Sequence, residues 1–298
     1  MSRRPALTIG LPVYNAAPWL EDALRSVFAQ SFGDWELLVV DDGSADASVA
    51  LAESLHDPRV QVLADGVHRG LAARLNQIAA RARAPYVARM DADDMMHPQR
   101  LQLQMEFLRA HSEVDGVGCG LAVLDRRGRP CGLRLLPAGH AAICRHPLKG
   151  IGIVHASFVA RTEWLRRHPY DERLRACEDW GLWFSTHSES RFANLAQPLY
   201  FYRDISSFRL GKYVRDKLAL TRFLWREGRP GYGAWKTGRQ VFAQYARVLV
   251  YLFSVIPGMK GFLLQTRNRR LDQGERRRLE LAVQQVRNLS LPRSRGGD

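Results

Sequence analysis

The stretch Tyr86-Val87-Ala88-Arg89-Met90-Asp91-Ala92-Asp93-Asp94 decides how the first half of this 298-residue chain is read. It opens as a short β-rich run, Tyr86 to Met90, and then brings three carboxylates together within four residues. Like charges at that spacing repel. Two readings fit. A hard cation such as Mg²⁺ or Mn²⁺ could face the strand end, since it prefers oxygen ligands and takes one or two carboxylates plus substrate phosphates. Alternatively, the run is a solvated acidic turn that caps a helix starting at Pro98.

Upstream, Leu7 to Leu11, Glu36 to Val40 and Val60 to Leu63 read as further strands. Pro18 in a first turn, with Leu20, Ala23, Leu24, Val27 and Phe28 on one face, predicts a helix between the first two. Ser44 is expected to cap a second helix, and Gly70 to Arg83 forms a third. This βαβ order implies an α/β fold with a mostly parallel, doubly wound sheet, whose ligands bind beyond the carboxyl ends of the strands. Polar clusters stand there: Pro12-Val13-Tyr14-Asn15, Asp41-Asp42-Gly43-Ser44 and the Asp91 run. The Asp41-Asp42 pair suits a turn with an N-cap, and equally suits acceptance from a base N–H or ribose hydroxyls. Neither GxxxxGK[ST] nor GxGxxG occurs. A bound nucleotide would therefore have its phosphates neutralised by a metal, which argues against kinases, P-loop enzymes and dehydrogenases.

Downstream, a helix is expected from Pro98 to about His111, then hairpin strands Val117 to Leu124 and Leu133 to Leu136 around the turn residues 125–130. Strands near Ile151 to Ala160 and Arg191 to Tyr202 enclose a helix beginning around Glu178. From Ser206 onward the pattern is helical, and the polar end Pro292 to Asp298 is expected to fray.

PVYN, VVDDGSAD, HRGLAARLN, ARMDADDMMHPQRL and EDWGLWF follow in that order, and through them residues 5–204 resemble a family 2 inverting glycosyltransferase. The resemblance implies the GT-A fold, a nucleotide-diphosphate sugar donor, a divalent cation (Mn²⁺ or Mg²⁺) and inversion at the anomeric carbon. It further implies that Pro12, Tyr14 and Asn15 line the nucleoside pocket. Asp41 and Asp42 would meet the base or ribose, and Arg69 would lie near the base or phosphates. Asp93 would ligate the metal, with Asp91 against the ribose or the metal's water shell. Asp179, beside Glu178 and Trp180, is similar to the family's general base. Those two acids also suit a helix N-terminus without catalytic purpose. His155 reads as a core histidine, or through the resemblance as a residue of the acceptor side. The chain departs from the family's YRxHxxS pattern, with Ile205 where histidine is expected.

Composition bounds the rest. With 46% hydrophobic and 25% charged residues the chain reads as folded, and Cys119, Cys131, Cys144 and Cys177 show no CxxC or zinc-ligand spacing, which points to a reducing compartment. No export-signal core is visible, and the apolar run Val248 to Ile256 is too short to span a bilayer. The net charge is +14, and it lies wholly in the last third: residues 205–298 carry 20 Lys+Arg against 6 Asp+Glu. Trp225, Tyr232, Trp235, Phe242, Tyr245, Tyr251 and Phe253 are interleaved with these cations. An anionic membrane surface fits that composition, as does nucleic acid, and a plain solvated helical cap is the third reading.

The expectation is thus a catalytic domain over 1–204, with a nucleotide-sugar half (1–110) and an acceptor half (111–204), and a basic helical, membrane-associating extension over 205–298. The enzyme would extend lipopolysaccharide, O-antigen or exopolysaccharide from a UDP-hexose, UDP-N-acetylhexosamine or dTDP-rhamnose. Its acceptor would be a lipid-linked or lipopolysaccharide glycan at the cytoplasmic face of the inner membrane, with no nucleic-acid partner. The competing readings are a nucleic-acid-binding protein using the basic segment and a nucleotidyltransferase.

Overall fold

A computed structural model describes residues 4–174, 176–203, 210–252 and 268–293. Along the chain the elements are β1 (Leu7–Val13), α1 (Ala17–Phe28), β2 (Trp35–Asp41), α2 (Ser48–Glu53), β3 (Val60–Leu63), α3 (Leu71–Arg81), β4 (Tyr86–Arg89), β5 (Met95–Met96) and α4 (Arg100–Ala110). They continue as β6 (Gly116–Leu124), β7 (Pro130–Arg134), α5 (His140–Ile143), β8 (Val159–Arg161), α6 (Thr162–Arg167), α7 (Glu178–Thr186) and β9 (Phe192–Arg203). The last helices are α8 (Leu210–Phe223), α9 (Arg229–Tyr232), α10 (Ala234–Leu252) and α11 (Gln273–Arg287).

One sheet runs in the order β3-β2-β1-β4-β8-β6-β9-β5, with β7 paired to β6. The first four strands are parallel, with Val13 of β1 opposite Asp41 of β2. β8 then pairs antiparallel with β4, joining the two halves into one surface. Every residue of β1 and β2 is buried, because helices cover both faces of a parallel sheet. A second core forms within residues 158–192, where Phe158, Trp164, Trp183 and Phe192 pack with ring centroids 4.7–6.2 Å apart.

Several local expectations change. Ser44 does not cap α2, which starts at Ser48 after Ala47 with no side-chain cap. Asp46 is the stronger acceptor there, taking the Ser48 and Ala17 N–H groups at 3.0 Å, while Ser44 Oγ accepts from Asn15 N. The strand placed over 151–160 is confined to Val159–Arg161. Residues 155–157 form a 3₁₀ turn, so His155 stands on a turn and not on a strand. The hairpin closes early, on Pro130–Arg134, and Met95–Met96 adds a short strand the sequence did not announce. Of the apolar run 248–256, residues 253–256 lie outside the described residues, as do Phe253 and Ile205. No helix among the described residues is long and apolar enough to cross a membrane.

The C-terminal segment returns to the body. Asp272 and Glu275 form a reciprocal capping box for α11, whose Leu279, Ala282, Val283 and Val286 pack on Met95, Leu133 and Phe201. Arg287 pairs with Asp22 at 3.3 Å. The expected fraying does not reach Pro292 and Arg293: Pro292 O accepts from His56 N at 2.7 Å and Arg293 bridges Leu55.

Candidate active site

The parallel strands deliver their polar ends to one edge of the sheet. Beyond β1 and β2 lies a cavity of about 430 Å³, walled by Pro12, Val13, Tyr14, Asp42, Arg69 and Glu178 among others. That volume is within the usual range for small-molecule sites. Tyr14 is 52% exposed and its ring lies 4.6 Å from that of His68, so two aromatic faces stand at the mouth.

One buried carboxylate, Asp42, lines this cavity and gathers the loop beside it. Asp42 accepts from the backbone N–H of Arg69 and Gly70 and from Arg74 Nε, and lies 3.0 Å from His68 Nδ1. Arg74 is 1% exposed and also binds Asp65, whose carboxyl its hydrogen bond holds well below the usual range. Asp41 spends its oxygens on the backbone N–H of Gly43 and Ser44 and does not line the cavity. Gly43 makes this turn possible: its φ is +76°, and a Cβ would stand 2.9 Å from His68 N. Asn15, at φ 48°, braces the same loop by accepting from Ala45 N and stands outside the cavity wall.

The Asp91 run is differently placed. Asp91, Asp93 and Asp94 each bring a carboxylate oxygen within 4.8 Å of the others. Burial, with the neighbouring Asp91, pushes Asp93 up to about 6, and burial raises Asp94 well above the carboxylate range. Asp94 Oδ1 accepts from Arg203 N at 2.7 Å, but its buried Oδ2 has no hydrogen-bond partner. An all-oxygen cluster with surplus negative charge and an orphaned buried oxygen fits a divalent cation of the Mg²⁺ or Mn²⁺ kind. On the other side Arg89 grips Asp91 through both terminal nitrogens, at 2.7 and 3.2 Å.

The frame around this cluster comes from distant sequence. Tyr200 on β9 accepts from Asp91 N through its hydroxyl, and Arg203 donates to Asp93 O. Buried Arg100 holds Arg89 O and stacks its cation 5.0 Å from the Tyr200 ring centroid. Asp94, Arg89, Arg100, Tyr200 and Arg203 were not singled out as site residues from sequence. Asp94 was in plain view in the motif, and Arg89 is a charge inside an apolar strand, but nothing local marks the other three.

Glu178 and Asp179 open α7 and face two different spaces. Glu178 lines the large cavity, whereas Asp179 lines a second one of about 260 Å³ with Trp180, Trp183 and Phe184. Burial raises both carboxyls, and the Trp180 N–H and Arg89 oppose the rise at Asp179. Asp91 acts electrostatically on both, so the two acidic groups share one field. Gly150 admits Trp180 to this wall: at φ +119°, a Cβ there would stand 3.1 Å from the indole. His155 lines neither cavity. Its Nε2 lies 2.7 Å from the Tyr170 hydroxyl, and burial beside Arg89 keeps the imidazole neutral.

The family model for glycosyl transferase family 2 matches residues 8–167. The chain is 31% identical over 217 residues to EpsE of Bacillus subtilis (strain 168), provisionally named a glycosyltransferase; the match covers 69% of this chain and 76% of that one. It is 35% identical over 119 residues to the succinoglycan biosynthesis protein ExoO of Rhizobium meliloti (strain 1021), covering 40% of this chain and 32% of the other. In three dimensions it is similar to residues 1–349 of S. aureus TarS in complex with UDP, with a TM-score of 0.56 at 18% identity, covering 94% and 79% of the two chains. The mannosyltransferase PcManGT from Pyrobaculum calidifontis, in complex with GDP-Man and Mn²⁺, superposes with a TM-score of 0.57 at 16% identity, covering 96% and 86%.

Proposed function

Because the chain belongs to glycosyl transferase family 2, with the GT-A fold, a helical C-terminal part and a transferase's activity, we propose that it is a cation-dependent, inverting enzyme of surface-polysaccharide synthesis. It would move a sugar from a nucleoside-diphosphate donor to a hydroxyl of a growing glycan. One observation carries this reading. The large cavity and the smaller one meet at consecutive residues, Glu178 and Asp179, within the field of the Asp91 cluster.

In this mechanism Tyr14 and His68 flank the base, and Asp42 fixes the loop whose Arg69 borders the same cavity. Asp93 and Asp94, with Asp91, would hold the divalent cation. When bound, that ion offsets charge developing on the leaving diphosphate. Arg89 keeps Asp91 oriented, and Tyr200 fixes its backbone. Asp179 accepts the proton of the acceptor hydroxyl as that oxygen attacks the anomeric carbon from the face opposite the leaving group. A single base suffices for inversion. The aromatic wall of Trp180, Trp183 and Phe184 offers apolar faces for the acceptor sugar.

The proposed site of action is the cytoplasmic face of a membrane carrying lipid-linked or lipopolysaccharide acceptors. Helix α10 supports it: Trp235, Phe242 and Leu249 recur every seven residues and are 83%, 73% and 59% exposed. Arg239, Lys236 and Arg247 flank that stripe, the pattern of a helix lying in an anionic interface.

The test is thermal stabilisation by UDP, dTDP, GDP and CMP, each with Mn²⁺, Mg²⁺ or EDTA. Ligand at 100 times its Kd should stabilise the fold by about 2.7 kcal/mol. A shift with one nucleotide that vanishes in EDTA is expected. Stabilisation by a nucleoside triphosphate with pyrophosphate release would favour a nucleotidyltransferase instead.

A further inference from the structure

A third cavity, of about 250 Å³, lies between the 145–149 loop and the helices α9 and α10. Arg145, Lys149, Lys236 and Arg239 line it together with His146, and no carboxylate does. Among the described residues none of these four cations has an ion-pair partner, although salt bridges are common elsewhere on this surface. Gln240 borders the same space and leaves its Nε2 amide buried without a hydrogen-bond partner. Gathering four like charges around a concavity with no counter-ion is unfavourable in the free protein, and an oxyanion with several acceptor oxygens relieves it.

Position gives the cluster its meaning. Pro147 and Lys149 form a wall common to this cavity and to the one containing Asp179. An anion held here is therefore adjacent to the Asp179 cavity, while the large cavity shares no residue with this one. On α10, the cavity-lining Lys236 and Arg239 lie between the exposed Trp235 and Phe242 in sequence.

We propose that this cavity binds a phosphate or diphosphate group carried by the acceptor and so sets which acceptor hydroxyl meets Asp179. The inference rests on the glycosyltransferase reading of the Asp179 cavity and adds an acceptor class to it: a glycan whose reducing-end carrier or neighbouring unit is phosphorylated. Arg145 and Arg239 supply planar donors for phosphate oxygens, and Lys149 and Lys236 supply point charges.

Binding of farnesyl diphosphate, and separately of a glycerol-phosphate oligomer, to the full chain in EDTA tests it by titration calorimetry. The comparison variant is Arg145→Gln/Lys236→Gln, with its melting temperature and its Mn²⁺-dependent nucleotide affinity measured alongside. A Kd at least tenfold weaker in the variant, with both controls unchanged, is the expected result. Loss confined to farnesyl diphosphate assigns a lipid-linked diphosphate, and loss confined to the oligomer assigns a phosphodiester; either supports the proposal. Equal affinity of both proteins for both probes overturns it. If neither probe binds while Mn²⁺-dependent nucleotide binding persists, only this inference falls. If the probes bind and no nucleotide does, the glycosyltransferase reading is what fails.

Discussion

Two aspartate clusters stand at the ends of the strands on either side of β1, and the protein treats them in opposite ways. Asp41 and Asp42 are met by backbone N–H groups of Gly43, Ser44, Arg69 and Gly70 and by buried Arg74. Their charge is used up inside the fold, where it shapes the cavity. Asp91, Asp93 and Asp94 crowd together, with one buried oxygen unpartnered and two carboxyls raised by burial. Their charge is left over for something brought from outside. Similar acidic doublets are thus sorted by the donors around them: glycine-containing loops bring N–H groups to the first, and a strand end crowded with a third carboxylate brings few to the second.

The largest effect should come from removing charge where it is left over. Asp93→Asn and Asp179→Asn are each expected to lower transfer by roughly 10³-fold, since each deletes a group proposed to act in the transition state. The two should separate in binding. Asp93→Asn should abolish the Mn²⁺-dependent part of nucleotide affinity, measured by calorimetry, and Asp179→Asn should leave it intact. Full transfer by either variant would remove that residue from its proposed role.

Stability should move in opposite directions at the two clusters. Asp42→Asn leaves Arg74, 1% exposed, without one of its two carboxylate partners. A loss of about 2–4 kcal/mol is expected from urea unfolding, below the full cost of an unpaired buried charge because Asp65 remains. Asp93→Asn should instead stabilise the metal-free protein, by up to about 3 kcal/mol, because it relieves a carboxylate held near 6 by burial and by Asp91. Destabilisation by both substitutions would erase the contrast between the clusters.

Much of this was legible because it is local. Strand periodicity and the acidic runs placed the cavity edge, and Glu178-Asp179 marked the start of α7 where the structure has it. Ser44 misled because sequence shows a capping residue but not that α2 starts four positions later, at Ser48, whose N–H is taken by Asp46. Tyr200 and Arg203 were invisible for another reason. They reach the Asp91 run across more than a hundred residues through the β5–β9 pairing, which no periodicity encodes. The return of α11 was readable in part, since Asp272 and Glu275 have capping-box spacing, but its partners Met95 and Phe201 were not.

The smallest and sharpest test is the acid limb of the rate. Asp179 must be ionised to accept a proton, and burial raises its pKa above that of a free aspartate. The rate under saturating donor and acceptor should therefore fall as pH drops through a midpoint above the ordinary value of about 3.9, tenfold per pH unit below it. Arg89 and the Trp180 N–H hold that midpoint down. Arg89→Gln should move the limb to higher pH, whatever it does to the absolute rate, because the favourable cation is gone while the burial remains. A limb that stays in place in Arg89→Gln would mean that the titrating group lies outside the field shared by Asp91 and Asp179, and the proton acceptor would have to be sought elsewhere along the aromatic cavity.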